Sequence, residues 1–261
     1  MTWYAAIFLG LVQGLAEFLP ISSSGHLLLF ESLFGITDGG LLLTVLLHLA
    51  TLLAVVVVYR QRLWTLIRHP WNLETARLGL ATVITCVIVL VFHDVIDRLF
   101  TLAALPYAFI VAGLYLAVPT VWDWCHRKST PRALVNQPAR PWWQAALMGV
   151  AQGVAVVPGL SRSGLTITTG RLSGMNGAEA TDFSFLMSIP IILASLLYEL
   201  LRGGTVEALG VGNILLAFVT AFIAGIAAIK LMLNLTRKID LRWFALYLLL
   251  LGGGLLIGSW F

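Results

Sequence analysis

Six apolar blocks run along the chain, at about Leu41–Tyr59, Ala76–Phe92, Ala103–Trp122, Phe183–Leu201, Asn213–Leu233 and Trp243–Trp260. Each is near the ~20 residues a helix needs to cross a hydrocarbon core, so the pattern predicts six transmembrane helices. Two further apolar stretches are broken by polar turns. The first, residues 10–28, reads GLVQGLAEFLPISSSGHLL and holds a carboxylate, a proline, three serines and a histidine. Gln13 and Glu17 are four apart and share one face of a helix. Pro20 stops that helix, because it lacks an N–H and disfavours helical geometry in the residue before it. Ser23 or Ser24 then suits the N-cap of a second helix through Leu27 and Leu28.

This stretch has a partner. A gapless shift of 139 places Gly10 on Gly149, Gln13 on Gln152, Gly14 on Gly153, Ser22 on Ser161, Ser24 on Ser163 and Gly25 on Gly164. The second copy has Val156 in place of Glu17, Arg162 in place of Ser23 and Leu165 in place of His26. One copy carries the acid and the imidazole, and the other carries the cation. They read as two halves of one site.

Each broken stretch has too few apolar residues on either side of its turn for two full crossings, which predicts a re-entrant hairpin. One hairpin and three spans make each half odd in crossings. The second half is then inverted relative to the first, as in repeat-built membrane proteins. The expected fold is an all-α polytopic bundle forming a single membrane domain. Its halves lie at about 1–125 and 142–261, joined by a loop at about 126–141, with the two hairpin tips meeting near the midplane.

Charge sets the orientation. Basic residues gather after the first span (Arg60, Arg62, Arg68, His69, Arg77), after the third (Arg127, Lys128, Arg132, Arg140) and before the last (Arg237, Lys238, Arg242). These connections are expected in the cytoplasm, with both termini outside. The first basic residue is Arg60, so no cleaved signal peptide is expected. Composition agrees with a membrane setting: 59% hydrophobic and 11% charged residues, against roughly 25% charged in a soluble domain. No basic cluster is dense enough for nucleic acid. Cys86 and Cys125 form neither a disulfide framework nor a zinc pattern.

Polar residues at membrane depth are costly unless they face a cavity or one another. Glu17 and Arg162 are the clearest cases. An ion pair that only locks the hairpins together would leave the dense serines unexplained. The planar fork of Arg matches phosphate oxygens, which points to an oxyanion ligand between the tips. Ser22, Ser23, Ser24, Ser161, Ser163 and Thr166 supply hydroxyls. The helix starts near Ser24 and Ser163, with Gly25 and Gly164, aim N–H groups at the same point. His26, next to the turn glycine, reads as catalytic or phosphate-binding, and Gln13 and Gln152 as supports. His48, alone in an apolar span, reads as a packing residue or a helix–helix hydrogen bond. Trp142 and Trp143 read as an interfacial belt, and Asp182, Glu199 and Asn234 as span-end or helix-contact residues. There is no Walker A sequence, HExxH or GxSxG elbow. Ser24-Gly25-His26 is superficially similar to the middle motif of acid-phosphatase-like lipid phosphatases, but position 168 is Thr where that signature needs His.

Taken together, Gln13, Glu17, Pro20, Ser22–Ser24, Gly25 and His26, with Pro158, Gly159, Ser161, Arg162, Ser163 and Thr166, resemble the two motifs of the bacterial undecaprenyl-diphosphate phosphatase family, also known for bacitracin resistance. The resemblance covers essentially the whole chain. It implies hydrolysis of a C55 polyprenyl diphosphate to the monophosphate carrier of cell-wall synthesis, at the outer face of the bacterial plasma membrane. It also implies an inverted-repeat fold, a homodimer, a divalent cation (Mg or Ca) and no organic cofactor. Gln13 stands where the commonest pattern has a first glutamate, leaving Glu17 as the carboxylate for such a metal. The chemistry we expect has Ser23 attacking the terminal phosphorus while Glu17 or His26 takes its proton. Arg162, Ser161, Thr166 and the hairpin N–H groups would stabilise the transferring phosphoryl group. Direct attack by water is the alternative step. A transporter or flippase of a polyprenyl phosphate lipid is the alternative function, since broken helices near the midplane also build secondary carriers.

Overall fold

The computed structural model describes residues 1–36, 40–125, 141–201, 210–235 and 241–258. Among them the chain forms twelve α-helices and no strand. The first broken stretch is α1 (Trp3–Ala16) and α2 (Ser23–Leu33), and the second is α8 (Trp142–Val154) and α9 (Arg162–Leu172). The six apolar blocks become α3 (Gly40–Val58), α5 (Leu73–Val91), α7 (Leu105–Cys125), α10 (Gly177–Leu201), α11 (Val211–Leu235) and α12 (Arg242–Gly258). Leu73–Val91, Gly177–Leu197 and Val211–Leu235 are each long and apolar enough to cross a membrane. The apolar parts of α7 and α12 are shorter. Their outward faces are apolar, with Val111, Leu114 and Leu250 exposed, as suits contact with lipid tails.

Two connections are more ordered than their sequence suggests. The basic segment after the first span is α4 (Arg60–Arg68), bent 78° from α3. The charge-balanced segment after the second span is α6 (His93–Leu99). Leu63, Leu66 and Ile67 recur at helical spacing among the charges of α4, which a count of arginines hides. The basic loop at 126–140 and the Arg237–Lys238 pair lie outside the described residues, as does the Glu199 side chain.

The helix start after Pro20 needs a correction. The N-cap of α2 is Ser22, not Ser23 or Ser24, and its hydroxyl accepts the Gly25 N–H at 3.4 Å. Ser22 holds φ of +72°, the left-handed geometry that lets the chain reverse within residues 17–22 and re-enter a helix at Ser23. Ser161, its counterpart at the shift of 139, caps α9 in the same way by accepting the Gly164 N–H at 3.1 Å.

Packing then fixes where the turns go. α1 lies along α11, α8 along α5 and α12 along α7, while α3 packs on both α10 and α11. The first two pairs depend on glycine. A Cβ on Gly14 would come within 2.6 Å of the Ala221 carbonyl oxygen, and one on Gly149 within 2.7 Å of that of Ala81. Small residues four apart (Gly10 with Gly14, Gly149 with Gly153) thus let backbones touch, as membrane helices require when no hydrophobic force holds them together. Phe18 from the first turn and Ile167 from α9 share one core with Ala54, Met148, Phe183 and Phe185. That core pulls the two turns into contact. A Cβ on Gly25 would lie 2.9 Å from the Gly159 Cα, and Ser163 donates a hydrogen bond from its hydroxyl to the Leu19 carbonyl at 3.1 Å.

Candidate active site

Glu17 is the C-cap of α1, just where the helix gives way to the turn, and its side chain is buried. Four groups converge on its carboxylate. Arg162, the first residue of α9, donates from Nη2 to Oε1. Ser23 donates its hydroxyl to Oε2 at 2.6 Å, and Gln13 donates from Nε2 to the same oxygen at 3.2 Å. His48 Nε2 lies 3.5 Å from it. Acid and cation from the two sequence copies therefore do meet, and they do so over the first residue of α2.

The arginine is only half used. Its Nη1 is buried and has no hydrogen-bond partner, so one arm of the guanidinium fork is held by Glu17 and the other is unpaired. A buried donor without an acceptor carries a penalty of ~1–3 kcal/mol, more for a charged group. An anion placed beside Arg162 and Ser23 removes that penalty.

The remaining hydroxyls divide into groups. Ser22 and Ser161 are spent on capping, which also engages the N–H groups of Gly25 and Gly164. The hydroxyls of Ser161 and Ser163 lie 3.4 Å apart. Thr166 donates to the Arg162 carbonyl at 2.7 Å and pairs with Ser184 at 2.6 Å, bracing the first turn of α9 against α10. Ser24 makes no side-chain hydrogen bond among the described residues. Gln152, the counterpart of Gln13, donates to Thr85 and to the Met187 carbonyl, each at 3.3 Å, and ties α8 to α5 and α10 away from Glu17.

His26 is held away from the Ser23–Glu17 pair. Its Nδ1 lies 2.7 Å from the Ser22 carbonyl, so that nitrogen carries the hydrogen. Its Nε2 lies 2.6 Å from the Tyr247 hydroxyl, and the two rings stack at an interplanar angle of 12°. His48, by contrast, belongs to the site. Its Nδ1 lies 2.7 Å from the Thr44 carbonyl one turn back on α3, which leaves Nε2 aimed at Glu17. On sequence alone His48 reads as packing or a helix–helix hydrogen bond, and Thr51, which lies 3.5 Å from Gln13 Nε2, Ser184 and Tyr247 do not stand out. A histidine at a span position otherwise filled by Leu and Val is the available signal.

The donors also bear on a metal. Among the described residues no three of His, Cys, Asp or Glu come together, so there is no closed protein cage. The amide oxygen of Gln13 is buried and unpartnered, while its Nε2 faces the Glu17 carboxylate. Two hard oxygen donors of this kind fit a cation that shares its shell with substrate oxygens.

Residues 6–254 match the family described as bacitracin resistance protein BacA. The chain belongs to that family. Among its curated relatives it is 37% identical over 262 residues to an undecaprenyl-diphosphatase of Carboxydothermus hydrogenoformans, covering 98% of this chain and 97% of the relative. It is 38% identical to undecaprenyl-diphosphatase 1 of Shouchella clausii, over 95% and 93% of the two chains. With an undecaprenyl-diphosphatase of Treponema denticola it shares 37% identity over 100% and 98%. In this BacA-family chain the matched region contains both hairpin turns and every residue around Glu17.

Proposed function

We propose that this protein is an undecaprenyl-diphosphate phosphatase, which converts the C55 polyprenyl diphosphate to the monophosphate carrier and inorganic phosphate. The single observation that carries this reading is the unpaired Nη1 of Arg162, whose other arm shares the Glu17 carboxylate with the Ser23 hydroxyl. A cation with a free donor arm binds the terminal phosphate, and the adjacent serine is the nucleophile. Family membership and the names of the relatives supply the substrate class.

In the proposed mechanism the diphosphate enters between the hairpin turns and takes the free arm of Arg162. Ser23 attacks the terminal phosphorus as Glu17 accepts its proton along the 2.6 Å hydrogen bond. The bond from that phosphorus to the bridging oxygen breaks, and the polyprenyl monophosphate leaves with the proton from Glu17, which is again a carboxylate. This favours Glu17 over His26 as the base, because both ring nitrogens of His26 are already occupied. Arg162 holds the charge that gathers on the equatorial oxygens during transfer. Gln13 and His48 orient the carboxylate. Water, deprotonated by the same Glu17, then releases phosphate from Ser23. Glu17 and the Gln13 amide oxygen are the donors we assign to a divalent cation, which when bound supplies charge neutralisation for the diphosphate.

We further infer an inverted repeat of two re-entrant hairpins and six spans in the plasma membrane, with the site open to the outer side. Supporting this, α1 of the first half packs on α11 of the second, while α8 of the second packs on α5 of the first. The shift of 139 maps α1 onto α8. The test of function is mass spectrometry of the lipid after incubation with purified protein in detergent. The expected product is the polyprenyl monophosphate with one phosphate released. Unchanged diphosphate, with lipid moved across vesicles instead, would favour the flippase.

A further inference from the structure

A cavity lined by both charged and apolar residues lies away from the hairpin turns, where α4, the start of α5 and the start of α10 meet. It encloses about 570 Å³ and is lined by residues that include Arg62, His69, Glu74, Arg77, Glu179 and Phe183. That volume is in the range of small-ligand pockets.

Arg77 makes this cavity more than a gap between helices. It is buried, with a relative exposure of 7%. Its Nε has no hydrogen-bond partner. Its guanidinium lies 5.6 Å from the Trp142 ring centroid, and no ion pair to a carboxylate is found for it among the described residues. The two acids in the lining are engaged elsewhere. Glu74 forms a two-point bond with Arg62, at 3.3 and 2.6 Å, and Glu179 accepts the Asn176 N–H at 3.2 Å. A buried, unpaired guanidinium is expensive, and an anionic ligand is the partner that offsets the cost. The first turn of α5, a 19-residue helix capped by Asn72, adds its positive dipole end at the same wall.

The mouth of the cavity indicates where the anion comes from. α4 turns 78° from α3, so it lies across the end of the bundle instead of continuing along it. Trp64, Ile67 and Trp71 are exposed there, the last almost completely, and Arg68 stacks 4.7 Å above the Trp64 ring. Exposed tryptophan and isoleucine interleaved with arginine describe a helix seated among lipid headgroups. We propose that this cavity binds the anionic phosphate headgroup of a membrane lipid, with Arg77 as its principal ligand. The proposal is independent of the reaction at Glu17.

Native mass spectrometry of the whole protein in detergent tests it, with phosphatidylglycerol as probe and diacylglycerol, which has no phosphate, as control. The parent protein should retain one phosphatidylglycerol that Arg77→Gln loses, with affinity falling at least about tenfold, a ~1.4 kcal/mol change. Neither protein should retain diacylglycerol, and excess inorganic phosphate should not displace the lipid. Hydrolysis of the polyprenyl diphosphate by Arg77→Gln should be unchanged. Because Arg77 is buried, Thr65→Trp provides a second route: it fills the cavity from the exposed face of α4 and should also lose the lipid. Undiminished lipid retention in either folded variant overturns the proposal. So does equal retention of diacylglycerol, and displacement by inorganic phosphate would show a soluble-anion site in place of a lipid site.

Discussion

Ser23 and Glu17 are joined by a 2.6 Å hydrogen bond across the turn of the first hairpin, the serine donating and the carboxylate accepting. The bond exists because α1 ends at Ala16 and the chain reverses through residues 17–22, so that the C-cap of one helix faces the first residue of the next. Glu17→Gln removes the proton acceptor while keeping the shape. Turnover should fall by ~10²–10⁴, the usual contribution of a positioned base, with the protein still folded. Phosphate-release assays on the variant check this, and near-parental turnover would remove Glu17 from proton transfer.

Arg162 tests the second hairpin. Lysine keeps the charge but lacks the planar fork that directs one arm at Glu17 and leaves another for a phosphate oxygen. Arg162→Lys should therefore lose ~10²–10³ in kcat, comparable to losing one donor to a developing oxyanion. Arg162→Ala should lose more and also raise KM. If Arg162→Ala only unfolds the protein, as seen by loss of its thermal transition, the arginine is a strut between hairpins. A fully active Arg162→Lys would mean the fork is unnecessary.

His48 separates orientation from bulk. His48→Gln keeps a polar group facing Glu17 and should keep most activity, whereas His48→Leu removes it and should cost about tenfold, ~1.4 kcal/mol in the barrier. Steady-state kinetics on both variants checks this. Equal rates would reduce His48 to packing, one of the two roles its sequence context suggests.

Much of this arrangement is legible in the sequence, for physical reasons that also mark where legibility ends. A lipid environment demands long apolar blocks, so the helices α3, α5, α7, α10, α11 and α12 stand out from hydropathy alone. The shift of 139 exposes Glu17 and Arg162 as complementary because each replaces an apolar or hydroxyl residue of the other copy. The cap is less clear: three consecutive serines all suit an N-cap, and only the backbone at Ser22 chooses among them. His48 and Tyr247 are invisible as site neighbours, since their contacts depend on how α3 and α12 pack rather than on local pattern. The Arg-rich α4 reads as a loop because its charges mask a short helical repeat.

Gly14 tests the packing that brings the turns together. Gly14→Val places a side chain against the Ala221 carbonyl and the Ala224 methyl, with a Cβ 2.6 Å from each. Overpacking of this kind costs ~1–3 kcal/mol, so Tm in detergent should fall and activity with it. Gly79→Ala, where a Cβ meets nothing within 4 Å, is the control and should leave both unchanged.

The most direct test of the proposed chemistry is inorganic phosphate release from a polyprenyl diphosphate by the purified protein, compared with Ser23→Ala. The parent should release one phosphate per lipid and leave the monophosphate. Ser23→Ala should bind the same lipid with similar affinity and turn it over at less than about one-thousandth of the parental rate, a barrier higher by ~4 kcal/mol. Near-parental phosphate release by Ser23→Ala would contradict nucleophilic attack by the serine and assign that step to water. No phosphate release by the parent would contradict the enzyme itself.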